Sequence, residues 1–231
     1  MSMQAQQILS RLESMADPAA REGMARYGIN VETAYGIKVT TLRELAKEIG
    51  RDHHLALELW DSSYHEARIL ATIVDDPKQV TEAQMETWVK DVNSWDLCDG
   101  LTGNLLDKTS FAYEKAIEWS GREEEFVKRA GFALMAWLPV HDKKAPDEKF
   151  EAFFRPIEVQ SDDERIYVKK AISWALRNIG KRSLNLNAKA VALAERIGQR
   201  SSKPAQWIAR DALNELTSAK ILERLQRKTG R

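Results

Sequence analysis

A single cysteine, Cys98, stands in a chain of 231 residues. One thiol excludes an intrachain disulfide and any Cys-x-x-Cys site, and it suits a reducing compartment, so a cytoplasmic, nucleoid-associated protein is expected. Long apolar runs are missing as well. No stretch approaches the roughly 20 apolar residues of a membrane span, and the opening MSMQAQQILSRLE has no signal-peptide core, so no membrane partner is expected. Strand signals are nearly absent: there is no sustained period-2 alternation and no Asn-Gly or Asp-Gly hairpin turn. A Gly-rich phosphate loop and a G-x-S-x-G elbow are also lacking, which argues against P-loop and α/β-hydrolase chemistry. His53, His54 and His65 together with Cys98 make no recognisable ligand spacing, and neither a metal nor an organic cofactor is expected.

Net charge is absent too, at 35 Lys and Arg against 35 Asp and Glu. That balance conceals a gradient. Residues 1–163 hold 19 Lys and Arg against 30 Asp and Glu, a net of −11, whereas residues 164–231 hold 16 against 5, a net of +11. A carboxy-terminal third this basic attracts a polyanion such as nucleic acid, unless it is a solvated surface or matches the acidic half of the same chain.

What remains is helix. Apolar residues recur at helical spacing nearly throughout, and helices of about 10 to 19 residues are expected between breaks such as DDP (75–77), SGREE (120–124), HDKKAPD (141–147), QSDDE (160–164) and SSKP (201–204). Thr81 before EAQMETW, and Ser161 or Asp162 before ERIYVKK, have the side chains that cap helix starts. The segments EARILATIV (66–74), WDLCDGLTGNLL (95–106), VKRAGFALMAWL (127–138), VKKAISWALRNIG (168–180) and WIARDALNEL (207–216) each pair a small residue with an aliphatic row. Their starts lie roughly 30 to 40 residues apart, which is the spacing of stacked helical hairpins. The expected fold is therefore all-α, a single domain over 1–231 built as an α-solenoid of HEAT-like hairpin repeats with a concave basic groove. An irregular helical bundle is the alternative.

Two helices carry unusual pairings. In DVNSWDLCDG (91–100), Trp95 and Asp99 lie at i and i+4 and project from one face, while Asp96 sits in the first turn as a dipole or capping partner. In ERIYVKKAISWALRNIGKR (164–182), Lys170, Trp174, Arg177 and Lys181 fall at offsets 0, +4, +7 and +11. That makes one face with three cations around an indole, suited to stacking or sugar contact beside a phosphate stripe. The opposite side, with Ile166, Val168, Ile172, Ala175, Leu176 and Ile179, is expected to pack inward. Trp60, Trp88, Trp119 and Trp137 read as core. Lys128 and Arg129 interrupt an otherwise apolar helix and share the repeat row of Asp99 and Lys170. For Trp95 a core position, and for Trp174 a bridge to the next hairpin, stay open.

YGIKVTTLR (35–43), SWDLCDG (94–100), VKRAGFAL (127–134) and YVKKAISWALRNIGKR (167–182) together resemble the AlkD-type DNA alkylation repair family, the HEAT-like DNA glycosylases. The resemblance runs in order through nearly the whole chain. It implies a lesion site formed by Trp95, Asp99, Arg129 and Trp174, with a contribution from Tyr27 or Tyr35. Two departures stand out: Ser94 occupies a position where the family often has another tryptophan, and Asp96 adds a second carboxylate.

The resemblance implies excision of cationic N3- or N7-alkylpurines from double-stranded DNA by a monomer. An alkylated purine already bears positive charge and leaves as a neutral base without a general acid. The transition state then needs only a counter-charge for the sugar, from Asp99, with the faces of Trp95 and Trp174 beside it. Family members act while the base stays in the duplex, unlike base-flipping glycosylases. Lys128, Arg129, Lys170, Arg177 and Lys181 would hold phosphates, with affinity falling against log salt by about 0.9 for each phosphate held. Two other readings fit the sequence: a catalytically silent solenoid that binds DNA structures, and a protein-binding HEAT scaffold whose groove takes an acidic peptide.

Overall fold

Helical periodicity is realised through most of the described residues. The computed structural model describes residues 1–229, which fold into helices and contain no strand. They pack as two compact units, Met1–Ser110 and Phe111–Arg231.

The first unit contains α1 (Met3–Ser14), α2 (Pro18–Arg26), α3 (Val39–Ile49), α4 (His53–Asp61), α5 (His65–Val74), α6 (Glu82–Lys90) and α7 (Trp95–Asn104), then one 3-10 turn, Leu106–Lys108. Helix α5 is its centre, packed against α3, α4 and α7. The reason lies in α5's composition: eight of its ten residues are buried, Glu66 among them. Side-chain caps start four helices, with Ser2, Asp17, Asp52 and Thr81 each accepting a first-turn amide. The Thr81 cap is the one expected from sequence. Trp60 and Trp88 are core residues as expected, stacked with ring centroids 4.1 Å apart, and the Trp60 Nε1 donates to Asp91 at 2.9 Å.

The segment between α2 and α3 has no regular structure, yet it is tightly held. Glu66 on α5 accepts the backbone amides of Tyr35, Gly36 and Ile37 at 2.8, 2.7 and 3.0 Å. A fully buried carboxylate is tolerable only when its oxygens are satisfied, and three amides do this here. Gly36 has φ +87°, and a Cβ there would stand 2.2 Å from the Asp17 carbonyl oxygen, so no other residue fits the turn. Tyr35 stacks on Tyr64 at 5.0 Å, and burial followed by the neighbouring Tyr64 pushes its phenol well above the ordinary range.

The second unit contains α8 (Ala112–Ser120), α9 (Glu125–His141), α10 (Asp147–Glu151), α11 (Phe154–Val159), α12 (Ile166–Gly180), α13 (Leu184–Gly198), α14 (Lys203–Leu216) and α15 (Ala219–Thr229). Helix α9 packs on α8 and α12, and α14 packs on α12 and α13, so hairpins stack through alternate helices. Gly131 allows α8 and α9 to approach: a Cβ would lie 2.4 Å from the Ser120 amide nitrogen. The five segments marked as repeats from sequence fall on α5, α7, α9, α12 and α14. The basic tail ILERLQRKTGR contributes most of α15; Gly230 and Arg231 lie outside the described residues.

Several local expectations are corrected. Trp137 is only half-buried, and Ile166, the first residue of α12, is 47% exposed. Neither Ser161 nor Asp162 caps α12. The N-cap is Arg165, which makes no side-chain cap bond; Asp163, two residues earlier, accepts the Arg165 amide at 3.0 Å and pairs with its guanidinium at 2.5 Å. No helix among the described residues is long and apolar enough to cross a membrane.

Candidate functional site

Helix α7 starts at the residue of greatest interest. Ser94 precedes it, but its hydroxyl donates to Asp96 Oδ1 at 2.7 Å instead of accepting a helix amide. The other oxygen, Asp96 Oδ2, lies 2.8 Å from His65 Nε2 on α5. The carboxylate is the acceptor, so Nε2 carries the proton. Burial pushes the Asp96 carboxyl up, but the hydrogen bonds from His65 and Ser94 and the charge of His65 outweigh it and hold it below the ordinary value. Asp96 thus fixes the first turn of α7 to α5, a tertiary tie beyond the dipole or capping role expected from its position.

Trp95 follows from this. It is half-buried, and its indole Nε1 donates to the Tyr27 carbonyl oxygen at 3.0 Å. The indole is one wall of a cleft of about 390 Å³, lined also by Met24, Tyr27, Gly36, Ile37 and Lys38. The lining is apolar apart from the Lys38 amine and the Tyr27 hydroxyl. Tyr27 is 77% exposed at the rim. Of the two tyrosines left open by sequence, Tyr27 meets Trp95, while Tyr35 stacks on Tyr64. Asp99 lies one turn further along α7, half-buried.

In the second unit the predicted residues have other surroundings. Lys128 and Arg129 are 4% and 5% exposed, core residues and not a surface row. The Lys128 Nζ donates to Gln160 at 3.0 Å and lies 3.4 Å from Asp163, and Arg129 donates to the Tyr167 carbonyl at 2.6 Å. Both cations are spent holding α9 to the chain around the start of α12. On α12, Lys170 is exposed and Trp174 is half-buried, meeting Trp137 edge-on at 5.0 Å. Trp137 in turn stacks on His141 at 4.9 Å, and its Nε1 is buried without a hydrogen-bond partner. Arg177 and Lys181 share the expected face but are neutralised from α14: Arg177 donates to Glu215 Oε2 and Lys181 to Oε1, both at 2.8 Å, and Asp211 lies 3.2 Å from Arg177. Burial raises the Glu215 carboxyl, but Lys181 and Arg177 together bring it below its ordinary value.

Residues 8–216 match the family described as DNA alkylation repair enzyme. The chain belongs to the DNA alkylation repair enzyme family. An uncharacterized protein of Listeria innocua, Lin0241, is 22% identical to this family member over 168 residues, covering 71% of this chain and 73% of the relative. A solved structure has the same fold, with a TM-score of 0.73 and 21% identity over 91% of this chain and 95% of the other. That protein is described as one of a new family related to the HEAT-like repeat DNA glycosylases, with affinity for branched DNA structures. The HEAT-like architecture expected from sequence is therefore the one this family member adopts.

Sequence reasoning did not find the supports of the site. Glu66 and His65 are adjacent on α5, and each holds one wall of the Trp95 cleft, the first through the 35–37 amides and the second through Asp96. One signal was available: a charged residue at the start of the near-continuous apolar run ARILATIV must be satisfied internally once that run is buried.

Proposed function

We propose that this chain binds duplex DNA and excises cationic N3- or N7-alkylpurines, with Asp99 as the carboxylate that stabilises the sugar and Trp95 as its aromatic neighbour. Family membership supports the reaction class, and one observation carries the assignment to residues. Trp95, held by the Tyr27 carbonyl at the edge of an apolar cleft, stands one helical turn from Asp99 on α7, whose first turn is fixed by Asp96 and His65.

In the reaction the N-glycosidic bond breaks heterolytically. Its electron pair goes to the base nitrogen and cancels the positive charge, so no proton donor is required. Positive charge develops on C1′ and its ring oxygen, and a preorganised carboxylate there lowers the barrier by about 3 to 4 kcal/mol. An indole face adds about 0.5 to 2 kcal/mol. Water then adds to C1′, oriented by Asp99, and releases its proton. Together these effects amount to a few orders of magnitude, enough for a labile cationic base and not for a neutral one.

The test is release of N7-methylguanine or N3-methyladenine from duplex DNA. The wild-type protein should release the base, and Asp99→Asn should not, with DNA affinity equal or higher. A wild-type protein that is inert at saturating DNA removes the excision reading. A second reading then stands: recognition of branched DNA without chemistry. It is favoured by the commitment of Lys128, Arg129, Arg177 and Lys181 to intramolecular partners, and by the affinity described for the protein of similar fold. Tighter binding to a four-way junction than to a duplex of equal length would support it.

A further inference from the structure

Five cations on or just after α12 and α13 are paired within the second unit. Arg177 and Lys181 bind Glu215, Lys189 binds Glu151, Arg196 binds Glu158, and Arg200 binds Asp162. Around Trp207 the pattern changes. Lys203, Trp207 and Arg210 fall at offsets 0, +4 and +7 on α14, one face of the helix, and neither Lys203 nor Arg210 has an ion-pair partner among the described residues. Lys169 reaches across from α12 and sets its Nζ 5.1 Å from the centre of the Trp207 ring. These side chains, with Gln206, Pro204 and Glu164, line an open cleft of about 480 Å³, within the roughly 300–1,000 Å³ of small-ligand sites. Three cations against one carboxylate leave it net positive. A half-buried indole beside three cations that have no ion-pair partner among the described residues offers a flat aromatic face for stacking and positive charge for a phosphate backbone.

We infer that the Trp207 cleft binds an unpaired stretch of nucleic acid, with one base stacked on the indole and its flanking phosphates held by Lys169, Lys203 and Arg210. Single strand is preferred over duplex because a paired base hides its faces in the helix stack, whereas an unpaired base can lie flat on an aromatic ring. Lys169 now covers the Trp207 face. Its flexible four-carbon stem lets the ammonium move from the ring to a phosphate as the base arrives. An acidic peptide would use the cations but gain little from the ring, so dependence on the indole separates the two ligands. This site is independent of excision at Asp99.

The test measures anisotropy of a fluorescein-labelled oligothymidylate and of a blunt duplex of equal length against wild-type, Trp207→Phe, Trp207→Ala and Lys203→Gln/Arg210→Gln proteins. Oligothymidylate should bind the wild type. Trp207→Ala should weaken that binding about tenfold, Trp207→Phe should retain most of it, and duplex affinity and base release should stay unchanged. The double substitution should reduce the salt slope by about 0.7 for each phosphate that is no longer neutralised. The inference is overturned by no binding of oligothymidylate by the wild type, by equal binding of Trp207→Phe and wild type with no loss in Trp207→Ala, or by a parallel loss on single strand and duplex. Competition by polyglutamate at matched charge that is as effective as competition by unlabelled oligothymidylate also overturns it. The Lys203→Gln/Arg210→Gln protein keeps the test decisive if Trp207→Ala fails to fold, since an unchanged salt slope on oligothymidylate overturns the inference.

Discussion

The two units bury charge of opposite sign. Among the described residues of Met1–Ser110, the buried charged side chains apart from His65 are acids: Glu66, Asp75 and Asp107. In Phe111–Arg231 they are bases: Lys115, Lys128 and Arg129. Composition leans the same way, with 11 Lys and Arg against 18 Asp and Glu in the first unit and 24 against 17 in the second. The difference in chemistry matters more than the sign. A buried acid such as Glu66 collects backbone amides that have no other acceptor, while a buried base such as Lys128 meets side chains that retain other partners. The acid is therefore the less replaceable of the two.

The strongest way to break the comparison is at the turn the acid organises. Gly36→Ala demands a positive φ from a residue with a Cβ and drives that atom into the Asp17 carbonyl. A loss of about 4 kcal/mol is expected in urea unfolding, with the Trp95 cleft lost alongside. Next comes the direct contrast. Glu66→Gln turns one amide-accepting oxygen into a donor facing a backbone N–H, and should cost about 2 to 3 kcal/mol. Lys128→Met leaves Asp163 its bond to Arg165 and replaces a buried ion by an apolar chain of similar length, so a change within about 1 kcal/mol is expected. Equal losses in the two variants would end the distinction.

The smallest effect concerns acid. The Asp96 carboxyl titrates below its ordinary value of 3.8 in the folded state. A depressed carboxyl contributes stability that is fully present above about pH 5, and that is lost as the pH falls through the folded value. The gap in urea midpoint between wild type and Asp96→Asn should therefore be wider at pH 7 than at pH 3. A gap that widens in acid would show that Asp96 has a different partner.

Much of the architecture could be read before any coordinates, because stacking of helical hairpins writes a regular apolar period into the chain. The repeats on α5, α7, α9, α12 and α14 and the Thr81 cap came from that period and from local chemistry. The placement of Trp95 and Asp99 one turn apart on a single helix was legible for the same reason, since i and i+4 is a local relation. Partnerships across tens of residues were not. Lys128 and Arg129 interrupt an apolar stripe in the same way whether they face solvent or the core, and only the position of Gln160, Asp163 and Tyr167 decides it. Arg177 and Lys181 read as uncommitted cations because Glu215, their neutralising partner, lies more than thirty residues onward. The missing cap at α12 has a similar cause: Ser161 and Asp162 both accept from Arg200, far along the chain, and α12 starts without a side-chain cap.

His65 and Glu66 are neighbours in the first turn of α5, and between them they fasten both sides of the Trp95 cleft. Its gap is accordingly a gauge machined from a single block. Moving either the 35–37 wall or the Trp95 wall shifts the buried helix that carries both.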